Sequence, residues 1–186
     1  MYKWLMLLLI FCMGCNETPR YLCVKYASKE IRNGKTDITG EAWKHICGRS
    51  FMHGWYNVAW DDNYLYLRIV NKFPDENCDN VILSFSTRRG GGTQIWRIDR
   101  VGKCFDINFN MAGGREINYI EAKTVPGKRQ CEMELKIPLD KISGYGNEIT
   151  MALTIQGKIP ARKRGKEEPY FESDTVILDF DYAHFR

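Results

Sequence analysis

From Tyr56 onward the chain alternates apolar and polar residues with a period of two, the spacing of a strand that buries one face. The pattern predicts strands at Tyr56–Trp60 (YNVAW), Tyr64–Asn71 (YLYLRIVN), Asn80–Ser86 (NVILSFS), Thr93–Asp99 (TQIWRID) and Lys103–Asn110 (KCFDINFN). It continues at Ile117–Lys123 (INYIEAK), Gln130–Ile137 (QCEMELKI), Ile149–Gln156 (ITMALTIQ) and Asp174–Phe180 (DTVILDF). Turn-forming residues punctuate the runs: Asp61-Asp62-Asn63, Gly90-Gly91-Gly92, Ala112-Gly113-Gly114, Pro126-Gly127 and Gly144-Tyr145-Gly146-Asn147. Tyr21–Tyr26 (YLCVKY) alternates like a further short strand, and only Glu41–Ile46 and Leu139–Ile142 suit short helices. Many short strands without a long helical period predict an all-β, antiparallel β-sandwich of the jelly-roll kind.

The amino end carries a different pattern. Met1–Gly14 has one early lysine, an apolar run from Trp4 to Met13 and a small residue before Cys15, the shape of a secretory signal. The Gly14-Cys15 junction has the form of a bacterial lipoprotein cleavage site, which predicts lipid on Cys15; the alternative is an ordinary signal peptide with an incidental cysteine. The expected organisation is a lipoprotein signal at 1–14, a lipid-anchored tether with a possible first strand at 15–35, and one sandwich domain at 36–186. That leaves about 170 residues after the signal, enough for one domain with its own core. The expected location is the bacterial envelope, on the outer membrane.

Losing Lys3 lowers the formal net charge from +4 to +3, too small an excess to argue for nucleic acid. Beyond Cys15 five cysteines remain (Cys23, Cys47, Cys78, Cys104 and Cys131), an odd number whose pairing the sequence leaves open. Gly-rich phosphate loops, GxSxG elbows and HExxH helices are missing, the one CxxC pair (Cys12 and Cys15) falls at the end of the signal-like segment, and His45, His53 and His184 lack ligand-pair spacing. Asp75, Glu76 and Asp79 concentrate hard oxygen ligands in Pro74–Asn80 (PDENCDN), which makes a structural calcium ion possible, against a plain solvated loop. Asp61 and Asp62 read as turn caps rather than paired catalytic acids. Lys158–Phe171 (KIPARKRGKEEPYF) reads as a solvated loop, with an anionic glycan as the minority reading.

Four pieces in order carry a resemblance: DITGEAW (Asp37–Trp43), VAWDDNYLYLRIVN (Val58–Asn71), DNVILSF (Asp79–Phe85) and EMELKIPLDKI (Glu132–Ile142). Together they resemble family 9 carbohydrate-binding modules and the related DOMON-like β-sandwiches. Those domains open on an Ile-Asp-Gly-like turn and a Trp, continue with an Asp-rich hairpin ending in Leu-Tyr, and close on Glu-x-x-Ile-Pro, here Glu134, Ile137 and Pro138. Physically, Gly40 permits a tight turn that lets Trp43 plug one end of the sandwich, and Leu65, Leu67 and Ile69 face inward opposite Tyr64, Tyr66 and Arg68.

The resemblance implies a non-catalytic domain that binds a glycan. It assigns a sugar contact to Arg97 and an aromatic clamp near Tyr170 and Phe171. Alternation on Thr93–Arg100 puts Gln94, Trp96 and Ile98 on one face and Ile95, Arg97 and Asp99 on the other. We therefore expect Trp96 in the core, Arg97 and Asp99 in the site, and Tyr170 or Phe171 closing over them from a late loop. The chain departs from the family where Asp-Ser-Val-Glu is usual: it reads Asp79-Asn80-Val81-Ile82, so Ile82 replaces a polar contact, and no Trp occupies Pro74–Asn80. Two other readings stay open. One is a structural or partner-binding sandwich without a sugar site; the other is a haem domain drawing a Met and a His from Met52, Met111, Met133, His45 and His53.

Overall fold

A computed structural model describes residues 18–22, 24–25, 48–51, 53–72, 78–87, 92–108, 113–125, 130–142, 149–160 and 167–180. The strands are β1 (Arg20–Leu22), β2 (Val24–Lys25), β3 (Gly48–Phe51), β4 (Gly54–Trp60), β5 (Tyr64–Asn71), β6 (Cys78–Thr87) and β7 (Gln94–Asp99). They continue as β8 (Cys104–Asp106), β9 (Arg115–Ile117), β10 (Glu121–Val125), β11 (Cys131–Pro138), β12 (Ile149–Pro160) and β13 (Glu167–Asp179). One sheet has seven strands in the order β1-β13-β12-β6-β7-β8-β9, and the other has six, β10-β11-β5-β4-β2 with β3 also on β4. Pairing is antiparallel except where β1 joins β13 and β2 joins β4, both parallel. The two sheets make the expected β-sandwich.

The core is the set of inward positions that alternation predicts. Leu65, Leu67 and Ile69 of β5 meet Leu135, Ile137 and Met133 of β11 from one sheet, and Leu83, Phe85, Trp96 and Ile98 face them from the other, all buried. Trp96 is fully buried, 5.4 Å from the Phe85 ring centre and 6.2 Å from that of Tyr119. Its Nε1 donates to the Tyr119 hydroxyl at 3.1 Å, so the largest core side chain buries its polar atom with a partner. The β4–β5 turn is capped as expected: Asp61 Oδ1 accepts the amides of Asn63 and Tyr64 at 2.8 and 2.7 Å, and Oδ2 accepts the Tyr66 hydroxyl. Pro138 ends β11 and a single 3-10 turn, Leu139–Lys141, follows. Gly54 is required in β4, because a Cβ there would stand 2.1 Å from the Val70 carbonyl oxygen.

Besides β3, which was not expected, and Lys103–Asn110, which is strand only over Cys104–Asp106 among the described residues, three segments depart from the sequence reading. Ile117–Lys123 is not one strand: β9 belongs to the seven-stranded sheet and β10 to the six-stranded one, so the chain crosses between sheets at residues 118–120. The same holds for Tyr21–Tyr26, split into β1 and β2 on opposite sheets. Lys158–Phe171 is not a loop throughout, since β12 runs to Pro160, β13 starts at Glu167, and the two pair from Pro160↔Glu167 to Ile149↔Leu178. Charged residues read as solvated loop there because the β12–β13 pairing continues past the last β6 partner at Gly157, and the adjacent Glu168 and Pro169, on opposite faces, are both exposed. Cys15, Trp43, His45, Met52, Asp75, Glu76 and Met111 lie outside the described residues, as does the side chain of Asp79. No group of three metal-ligating side chains occurs among the described residues.

Candidate functional site on the outer sheet face

Strand register carries three of the four predicted residues, Arg97, Asp99 and Phe171, onto one surface. On the outer face of the seven-stranded sheet, Arg97 has Phe105 of β8 on one side and Ile82 of β6 on the other. The same row continues through Thr154 of β12 to Ser173 of β13. The next row runs Asp99, Asn80, Gln156, Phe171. On the other side of Arg97 a third row runs Ile95, Ser84, Ala152, Thr175. Phe171 is 65% exposed, the one aromatic ring so exposed among the described residues.

Arg97 is set rather than loose. Its guanidinium carbon lies 4.7 Å above the centre of the Phe105 ring, and its Nη2 donates to the Gly113 carbonyl at 2.9 Å. Its Nε is buried and finds no hydrogen-bond partner among the described residues. No carboxylate pairs with it among those residues; its register neighbour is Ile82, where the family pattern would place an acid. Asp99, expected to assist Arg97, has a different task. Its Oδ1 accepts the amides of Val101 and Lys103 at 3.0 and 2.8 Å, closing the β7–β8 turn in which Gly102 takes a φ of +87°. Phe105, Asn80, Thr154 and Gln156 were not identified from the sequence, because alternation gives their face but not the strand beside them.

Tyr170 and Phe171 do not close over Arg97 from a loop. Both lie on β13, and Asp99 and Phe171 are three strands apart, about 14 Å at the usual spacing. Tyr170 also faces the other way: it is buried between the sheets, its hydroxyl 2.9 Å from His53 Nδ1 and donating to Glu172. Adjacent residues of a strand point to opposite faces, so only one of the two could share a surface with Arg97, and it is Phe171.

Tyr170 belongs to a polar seam that ties β13 to β3, β4 and the turn between them. Arg49 of β3 donates through Nε and Nη2 to the two carboxylate oxygens of Asp174, the second bond being 3.0 Å. The Tyr56 hydroxyl donates to Asp174 at 2.9 Å, and the His53 amide to Glu172 at 3.3 Å. Burial alone would raise the Asp174 carboxyl, but the hydrogen bonds from Arg49 and Tyr56 outweigh it and hold the group below its ordinary value. Burial first, and Asp174 second, push the Tyr56 phenol far up, so it stays protonated as a donor. Tyr21 of β1 adds another cross-sheet link, its hydroxyl accepting the Val58 amide at 3.2 Å where β4 passes from β3 to β2.

Other candidate groups are spent on structure. The Cys104 thiol is buried and pushed up to about 12, mainly by burial and then by Asp99, which keeps it protonated. Met133, one of the possible haem ligands, faces inward on β11 and is 2% exposed.

No protein-family model and no curated protein matches the chain. Among solved structures it is similar to a family 9 carbohydrate-binding module from Caldicellulosiruptor kristjanssonii in complex with glucose, with a TM-score of 0.56 at 13% identity over 88% of this chain and 97% of that one. The cellotriose complex of a module of that family from the same organism gives a TM-score of 0.55 at 12% identity over 89% and 97%. The two-sheet sandwich described here is therefore the fold of family 9 carbohydrate-binding modules.

Proposed function

We propose that the chain is a non-catalytic sugar-binding domain whose site is the outer face around Arg97. The observation that carries this reading is the company Arg97 keeps: a guanidinium set on the Phe105 ring, unmatched by a carboxylate among the described residues, beside neutral hydroxyl and amide side chains. Sugars offer hydroxyls to such donors and apolar C–H faces to rings. The fold supports the reading, because similar modules have been solved with glucose and cellotriose. Ile82 beside Arg97 favours a second reading, a sandwich that has lost its sugar site and binds a partner or serves a structural role.

A glycan-array screen of the domain beginning after Cys15, followed by titration calorimetry, separates the two. Saturable binding that Arg97→Ala weakens supports the sugar reading, and silence across the array favours the second. The envelope location is part of the proposal and rests on the apolar run before Gly14-Cys15. Cys15→Ala should leave the precursor unprocessed or release the protein from the membrane fraction; unchanged mass and fractionation would sink the anchor.

A further inference from the structure

Among the described residues, the aromatic rings of the outer face stand at its two ends. Phe105, under Arg97, belongs to β8, and Phe171 belongs to β13, with β7, β6 and β12 between them. Four strand steps separate the rings by about 19 Å, so no single sugar ring reaches both. Two rings placed this way cannot form a slot around one sugar. The span between them is filled by Ile82 and by Asn80, Gln156, Thr154 and Ser173, the last four neutral, partly or fully exposed, and able to donate and accept hydrogen bonds. Between the two rings Arg97 and Asp99 are the charged members of the two rows, with Glu116 of β9 beyond Phe105, and Asp99 is committed to its turn. A neutral ligand fits that lining; an anionic chain would meet a single arginine. Phe171 adds an exposed ring with no structural task on this side of the sheet, which is the informative kind of exposure.

Building on the sugar-binding reading, we propose that this face holds a neutral oligosaccharide as an extended chain lying across the strands, from the Arg97–Phe105 platform to Phe171. Affinity then depends on chain length, because the second aromatic contact is made only when the chain is long enough to arrive there. The chemistry of the chain's end is unimportant, since no described residue of this face encloses an end.

Titration calorimetry of the detergent-solubilised full chain with cello-oligosaccharides of one to six glucose units tests this. Affinity should rise from the disaccharide to about the tetramer and then level. Reducing the terminal sugar of the hexamer to its alditol should leave its affinity unchanged. Phe171→Ala should weaken the hexamer about three- to tenfold, the worth of one stacking contact, while leaving the disaccharide and the melting temperature as they were. Affinity already maximal at one or two units, abolished by end reduction and indifferent to Phe171, overturns the extended mode and leaves sugar binding standing. Absence of binding along the whole series also overturns it, and the glycan array then decides separately whether the sugar reading falls too.

Discussion

Alternate residues of β13 do opposite work. Tyr170, Glu172 and Asp174 point between the sheets and bond groups on β3, β4 or their connecting turn, whereas Phe171, Ser173 and Thr175 point away and are exposed. The same division separates two arginines. Arg49 spends its charge on a carboxylate in the seam, and among the described residues Arg97 holds a carbonyl and an aromatic ring on the open face. An arginine matched inside a seam locks two sheets together. On the proposed reading, Arg97 on the open face keeps its charge for a ligand, and its loss costs the sheet little. One strand would then serve stability with its even-numbered residues and recognition with its odd-numbered ones.

The comparison is sharpest at Trp96 and Arg97, neighbours on β7. Trp96→Ala empties the centre of the core and should cost about 3–5 kcal/mol in denaturant unfolding. A loss under about 1 kcal/mol would mean that β7 does not divide core from face.

Next in size is the seam. Asp174→Ala should cost about 2 kcal/mol, less than breaking a fully buried pair because the Arg49 side chain is 32% exposed. Stability unchanged within error would reduce the seam to a surface contact.

Acid should act through the same carboxylate. Because the Asp174 group is held below its ordinary value in the folded protein, its contribution is fully present above the unfolded value of about 4 and is lost as pH falls through the lower folded value. Melting temperatures measured between pH 6 and pH 2 (about one-unit steps suffice) should fall less steeply for Asp174→Asn than for the parent chain. Parallel curves would remove Asp174 as a contributor.

The smallest stability change belongs to Arg97→Ala, within about 0.5 kcal/mol, paired with a loss of about 1–3 kcal/mol in glycan binding. A melting-temperature drop as large as that of Asp174→Ala would place Arg97 with the seam and erase the contrast.

Much of this was legible in the sequence because it is local. β5 begins and ends where alternation puts it, at Tyr64 and Asn71, and β11 falls within a residue of its expected bounds. Asp61 caps its turn through amides two and three residues away, and Trp96 and Arg97 take opposite faces because a pleated strand allows nothing else. The sandwich follows from many short two-faced strands, which must pair sheet against sheet to bury their apolar sides.

What only the tertiary structure decided is who stands beside whom. Arg49 and Asp174 are 125 residues apart, and no periodicity joins them. The break that sends β9 to one sheet and β10 to the other shows in sequence only as a slip of phase at Tyr119-Ile120, two apolar residues in succession, and which sheet each half joins is set by its pairing. Tyr170 and Phe171 must oppose each other, but which one enters the seam depends on the register of β13 against β12 and on His53 waiting across the gap. Ile82 reaches Arg97, and Gln156 comes between Asn80 and Phe171, by the same non-local pairing. Side-chain period is a property of the backbone and is written residue by residue; register is a property of two strands at once, chosen by the packing of the whole core.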